Sequence, residues 1–195
     1  MRKEDVVAFF DRCASHWDAE MIRNESVIER ILNHAGIEAG VDVLDVACGT
    51  GVLIPDYLAR KVGSVTGVDI SSQMIEIAKE KFNRENVSLI CGDVEEIALE
   101  RKFDCIMVYN AFPHFLHPER LIDRLVSLLK DGGRLTIAHG MSREEIDAHH
   151  AKRAQKVSVG LMDIDELADL FAKRLVVITK ISDDTMYQVT GYFSA

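Results

Sequence analysis

The sequence predicts a single doubly wound α/β domain: a mostly parallel seven-stranded sheet covered by helices, with an N-terminal helical cap and a C-terminal antiparallel hairpin. Three observations carry this. Between residues 41 and 139, short, nearly continuous apolar runs alternate with segments of helical periodicity, the pattern of parallel strands buried on both faces. The first run continues into Val-Leu-Asp-Val-Ala-Cys-Gly-Thr-Gly (43–51), a strand, a small-residue turn and a helix start in that order. Beyond residue 174, two alternating runs, Leu175–Ile181 and Met186–Phe193, flank Ser182-Asp183-Asp184 and read as a hairpin.

Residues 3–13 and 21–35 have helical spacing; in the second segment Ile22, Ile28, Ile31, Leu32 and Ala35 form the apolar stripe and Gly36 stops it. Between them lies the only tryptophan, Trp17. Strand 41–46 leads to helix 51–61, and strand 64–69 to helix 71–84, with Ser71 or Ser72 as N-cap. Strand 87–91 leads to a turn around Val94–Ile97, and strand 103–109 through a loop to helix 118–130, which Gly132 and Gly133 terminate. Strand 134–139 follows, then a polar helix over 143–156 and another over 163–173. We therefore expect one domain, 1–195, made of a helical lid (1–36), a ligand-binding core (40–140), cap helices (141–173) and the hairpin (174–195).

A length of 195 residues with 48% hydrophobic and 28% charged residues suits one globular domain. A formal charge of −9 leaves no basic stripe for phosphates, so no nucleic-acid partner is expected. No apolar run is long enough to span a membrane, and the acidic N-terminus does not read as a signal peptide, so a cytoplasmic protein, monomer or homodimer, is expected. Cysteines 13, 48, 91 and 105 form no C-x-x-C pair and read as free thiols of a reducing compartment.

In doubly wound sheets ligands lie beyond the carboxyl ends of the strands. Asp45, Asp69 and Asp93 end the first three strands. Asp45, placed before Gly49 and Gly51, would repel a pyrophosphate and attract a positively charged ligand. Asp69 offers two acceptor oxygens to the hydroxyls of a ribose. Aspartate is also common at strand ends for purely structural reasons; the whole set is harder to explain that way than any one member.

These stretches resemble the motifs of class I S-adenosylmethionine-dependent methyltransferases over most of residues 40–140. Residues 43–51 resemble the first motif, and Gly67-Val68-Asp69 the second, ribose-binding one. Cys91-Gly92-Asp93-Val94 resembles the adenine-contacting turn. Phe103 to Ala111 resembles the fourth-strand motif, where Asn110 and Ala111 would border the methionine moiety, and residues 129–135 resemble the turn into the fifth strand. Phe10-Asp11, Ala14 and Trp17-Asp18 are similar to a small-molecule branch that includes quinone-biosynthesis methyltransferases. The resemblance implies a Rossmann-like fold, S-adenosyl-L-methionine as methyl donor, a small-molecule acceptor, and donor contacts from Asp45, Ala47, Gly49, Gly51, Asp69, Ile70, Met74, Asp93, Val94, Asn110 and Ala111. Ala47 replaces the first glycine of the usual D-x-G-x-G-x-G pattern; alanine accepts most turns with negative φ, so little loss is expected.

The main rival is a dinucleotide-binding oxidoreductase, whose pattern needs a third glycine where this chain has Ile54, and whose pyrophosphate would face Asp45. A second class is a non-catalytic module or partner subunit that binds the same ligand, since fold does not settle function. Methyl transfer needs positioning more than acid–base chemistry, and a base only for an acceptor that begins protonated. Histidine is the usual base, and His114 and His139 are the candidates, as a base or as substrate contacts. Against this, His114 can be a loop-packing residue. Trp17, Phe112, His149 and His150 are expected around the acceptor as lid and wall, whereas Phe115 and Leu116 read as core, and Asp18 and Glu20 as solvated helix-start charges. No short ligand spacing among the histidines supports a metal, so none is expected.

Overall fold

A computed structural model describes residues 2–153 and 157–194. The strands are β1 (Asp42–Val46), β2 (Ser64–Asp69), β3 (Val87–Cys91), β4 (Phe103–Tyr109), β5 (Leu129–His139), β6 (Val176–Ser182) and β7 (Tyr187–Tyr192). They form one sheet in the order β3-β2-β1-β4-β5-β7-β6, parallel from β3 to β5, with β7 antiparallel to both of its neighbours. The order reverses between β1 and β4, the switch point where a crevice opens in such sheets.

Burial explains which apolar runs became which strands. β2 and β7 are covered almost throughout, whereas edge strand β6 alternates exposed and half-buried residues and edge strand β3 shows no fully buried residue. The side-chain period of two sorts the central strands between two cores. Leu44, Val46, Ile106 and Val108 pack with Leu121, Leu125 and Phe171. Val43, Cys105 and Met107 pack on the opposite face with Ile28, Ile31, Leu32, Ile54 and Tyr57. Asp45, two residues after Val43, therefore belongs to this second face.

The helices are α1 (Lys3–Glu20), α2 (Glu25–Ala35), α3 (Ile54–Ala59), α4 (Ser72–Lys81), α5 (Pro118–Ser127), α6 (Arg143–Arg153) and α7 (Ile164–Ala172). Several differ from the sequence expectation. α1 does not stop at residue 13 but runs unbroken through Trp17, because the residues 14–20 contain no glycine or proline to end it. α2 starts at Glu25, where the Asn24 side chain accepts the Val27 N–H at 3.3 Å; Ile22 falls in the preceding linker and is 91% exposed. Gly36, at φ 74°, ends α2 as expected. Residues 51–53 are turn, so α3 starts at Ile54. α4 is shorter than 71–84 and is capped by the Ser71 hydroxyl, which accepts the Met74 N–H at 3.2 Å. α5 ends at Ser127 rather than 130, since β5 already begins at Leu129, where it pairs with Phe103, and the Gly132 N–H donates to the Phe193 carbonyl at 2.9 Å. Residues 154–156 of the expected polar helix lie outside the described residues.

At the amino ends of the strands, Asp42 accepts the Ser64 hydroxyl at 2.6 Å and pairs with Lys130 at 2.9 Å and Arg101 at 2.8 Å. The Ser64 hydrogen bond, with the two cations, holds its carboxyl down at about 2 against the opposing effect of burial. A depressed carboxyl stabilises the fold above the ordinary carboxylate range and loses that contribution as the pH falls through about 2. We expect Asp42→Asn to lower unfolding free energy by about 1–2 kcal/mol at pH 7. In denaturant titrations the difference from wild type should shrink towards pH 2.

Candidate active site

The carboxyl ends of β1 to β5 open into one cavity of about 930 Å³, near the upper end of the range for small-molecule sites. Its floor is the turn after β1 (Asp45, Ala47, Gly49), the end of β2 with the start of α4 (Asp69, Ile70, Met74), and the turn after β3 (Asp93, Val94). Asn110 and Ala111 after β4, and His139 at the end of β5, close one side. α1 forms the roof with Val6, Phe9, Phe10, Cys13 and Trp17.

Asp69 is 7% exposed. Its Oδ2 accepts the Gly49 N–H and its Oδ1 the Ser71 N–H, both at 2.8 Å. Burial raises its pKa, and those two backbone donors work against the rise. Each carboxylate oxygen has two acceptor sites, so each keeps one for a ligand hydroxyl. Asp45, 2% exposed, has no comparable backbone donors: burial, reinforced by the negative charge of Asp69, pushes it up to about 8. The nearby Tyr57 counters the rise in part, although its buried hydroxyl makes no well-formed hydrogen bond. With its pKa at about 8, Asp45 is mostly protonated at neutral pH in this arrangement, not the standing carboxylate expected from the sequence.

The turn itself is strained at one residue. Ala47 sits at φ 54°, in the left-handed region, and not at the negative φ expected for it; an L side chain costs about 1–2 kcal/mol there. Gly49, also at positive φ, leaves open space toward the cavity, where an added Cβ would meet nothing nearer than Trp17 Nε1 at 3.8 Å. Gly51 serves differently from the expectation: it lies outside the cavity lining, and a Cβ there would come within 2.6 Å of Phe82. Asn110, at φ 54°, accepts the Gly140 N–H on its side-chain oxygen at 3.0 Å and so ties the β4 and β5 ends together.

Two wall assignments are reversed. Phe112, expected at the acceptor, is 3% exposed and packs into the α5–α7 core, whereas Phe115 and Leu116, expected as core, line the cavity. The short 3₁₀ turn Phe112–His114 is responsible, because it rolls its first residue inward. His114 Nδ1 lies 2.6 Å from the Val157 carbonyl; a carbonyl only accepts, so Nδ1 carries the proton and Nε2 is the basic nitrogen. The His114 ring also meets Phe10 edge-on at 5.0 Å. His139 is 2% exposed and stands edge-on to Tyr187 at 6.1 Å. The backbone of His149 and His150 lies in α6, but their side chains are outside the described residues. Among the described residues no cluster of three or more histidine, cysteine or acidic side chains is placed to hold a metal ion.

How the roof is fastened was not expected from local patterns. Lys3 pairs with Asp93 and, at 2.7 Å, with Glu96. Asp11 accepts the Ser71 hydroxyl at 2.6 Å. Asp18, read as a solvated helix-start charge, lies near the far end of α1, where it accepts the Thr50 hydroxyl at 2.5 Å and pairs with Lys81 at 2.7 Å. Residues 3, 11 and 18 are about two turns apart and share one helix face. A single-helix reading of residues 3–20 would have put them in register.

Residues 43–133 match the model of the methyltransferase domain family. Malonyl-[acyl-carrier protein] O-methyltransferase of Priestia megaterium is 30% identical over 183 residues, covering 86% of this chain and 66% of that protein. Ubiquinone biosynthesis O-methyltransferase of Coxiella burnetii is 36% identical over 99 residues, covering 49% of this chain and 42% of the relative. The chain therefore spans only part of these relatives' lengths. Magnesium protoporphyrin IX methyltransferase from Synechocystis PCC 6803, solved with bound S-adenosylhomocysteine, shares the fold with a TM-score of 0.73 and 18% identity, covering 99% of this chain and 100% of that one.

Because the fold keeps Asp45 protonated, wild-type stability falls as the pH rises from the ordinary carboxylate range to about 8, the folded state binding more protons than the unfolded one. Asp45→Asn removes that dependence. In urea unfolding the variant's advantage over wild type should be smallest near pH 4 and grow up to pH 8; a gap of the same size at both pH values would contradict the assignment.

Proposed function

We propose that this chain is a class I S-adenosylmethionine-dependent methyltransferase that transfers the methyl group of S-adenosylmethionine to a small-molecule acceptor by in-line displacement. The observation that carries the reading is the row of carboxylates, Asp45, Asp69 and Asp93, at the ends of three neighbouring strands and on one cavity. The residues fit the donor: Asp69 retains an acceptor site on each oxygen for the two ribose hydroxyls, and Gly49 leaves room where a side chain would intrude. Asp93 and Val94 take the adenine edge. Asp45, Ala47, Asn110 and Ala111 take the methionine end.

The bound donor supplies an electrophilic methyl on a cationic sulfur that leaves as a neutral thioether. The chain's own work is to orient, to exclude water and to hold the acceptor. Phe9, Phe10 and Trp17 of the roof, with Phe115 and Leu116 of the wall, give the remaining space an apolar character. His114, which lines the cavity with its Nδ1 held on the Val157 carbonyl, is the candidate base for an acceptor that begins protonated. Both curated relatives named above are O-methyltransferases, which supports an oxygen acceptor here. Among the described residues no helix is long and apolar enough to cross a membrane. Cysteines 13, 48, 91 and 105 form no disulfide among the described residues, which supports a reducing, cytoplasmic setting.

Incubation with methyl-labelled S-adenosylmethionine and a fractionated metabolite extract should yield one labelled small product. Donor binding without transfer to any fraction would mark a non-catalytic module instead. Asp69→Ala should weaken donor binding in calorimetry by about 1–3 kcal/mol, the cost of leaving polar partners stranded. Unchanged affinity would remove the ribose assignment.

A further inference from the structure

Asp45 and Tyr57 meet because of strand alternation. Asp45 shares the face of β1 that α2 and α3 cover, and Tyr57, like Ile54, is a wholly buried residue of α3 in that layer. The Tyr57 hydroxyl makes no well-formed hydrogen bond, an expensive state for a buried donor. Asp45 has Asp69 on the neighbouring strand and, among the described residues, no cation acting on it. Cys48 in the turn faces the same pair; Asp56 and Cys105 face Tyr57. Both thiols are held well above neutral range by burial, so neither supplies charge near pH 7. Asp69 is raised by burial and by Asp11 of α1. Backbone N–H groups, those of Gly49 and Ser71 at 2.8 Å, favour its ionised form, which leaves the proton of the pair on Asp45.

We propose that Tyr57 is a positioning residue of the donor site: its hydroxyl donates to Asp45 once Asp45 ionises, so that entry of a cationic ligand expels a proton from the Asp45–Asp69 pair. The inference rests on the reading of the cavity as a donor site. It gives the orphaned hydroxyl its partner in the loaded state and makes donor affinity depend on pH. The balance is simple: the carboxyl O–H bond of Asp45 breaks, the proton goes to solvent, and the ligand's positive charge takes its place.

Calorimetric titration of the full chain with S-adenosylmethionine, in buffers of different ionisation enthalpy between pH 6 and 9, counts the protons. Wild type should release close to one proton at pH 7, with affinity rising up to about tenfold per pH unit before levelling off. Asp45→Asn should release none and show a flat profile. Tyr57→Phe removes a hydroxyl without changing the packing. It should bind several-fold more weakly at pH 7, nearly normally at pH 9, and level off at a higher pH than wild type. A Tyr57→Phe loss of the same size at every pH is what a merely structural role would give, and it would overturn the proposal. Pairing of the wild-type measurement with no proton release overturns it without need of any variant. Donor binding that is pH-independent defeats this inference alone, whereas absence of donor binding defeats the functional reading with it.

Discussion

Two carboxylates buried side by side at the ends of β1 and β2 are the constraint on which the site depends. Burial opposes the ionisation of both; the charge of Asp69 raises Asp45 further, and that of Asp11 raises Asp69. Asp69 resolves its half by taking the N–H groups of Gly49 and Ser71, and in doing so fixes the shape of the glycine turn against the start of α4. The same Ser71 caps α4 and donates its hydroxyl to Asp11. One carboxylate therefore connects the turn, the second crossover helix and the roof. Asp45 is left without such donors, and the left-handed Ala47 beside it shows that the turn is held to this path at some local cost.

The roof is fastened differently from the floor. α1 has only Val6 and Ala14 buried, and its polar ties are mostly solvent-reached, with the Asp18 and Lys81 side chains 42% and 34% exposed. Pairs of that kind are worth a fraction of a kcal/mol to about 1 kcal/mol each. A helix held by few apolar contacts and several weak pairs belongs to the low-stability end of a fold, where local opening is easiest. Lys3 occupies Asp93, one of the residues assigned to the adenine, so the roof and the donor address some of the same groups. The sheet beneath, buried on both faces, supplies the rigid frame against which such opening can occur.

Most of the sheet was legible in the sequence because the buried parallel strands leave nearly continuous apolar runs, most of them followed closely by an acid or a glycine. What was missed follows from interactions that no local pattern carries. The helix expected to stop at residue 13 continues because nothing in residues 14–20 ends it, and the shorter helix hides the common face of Lys3, Asp11 and Asp18. Phe112 and Phe115 were exchanged because a single 3₁₀ turn decides which of two nearby aromatics faces inward. The φ of Ala47 and the ionisation of Asp45 depend on the neighbouring strand and on α3, which are distant in sequence.

The central claim is that the cavity between these acids and the roof receives S-adenosylmethionine, and the chain carries its own reporter. Trp17 is the only tryptophan, and its Nε1 stands 3.8 Å from where a Cβ on Gly49 would lie. Tryptophan emission during titration with S-adenosylhomocysteine should change saturably, and nicotinamide adenine dinucleotide at the same concentrations should leave it unaltered. A flat response to S-adenosylhomocysteine, or an equal response to the dinucleotide, would contradict the account.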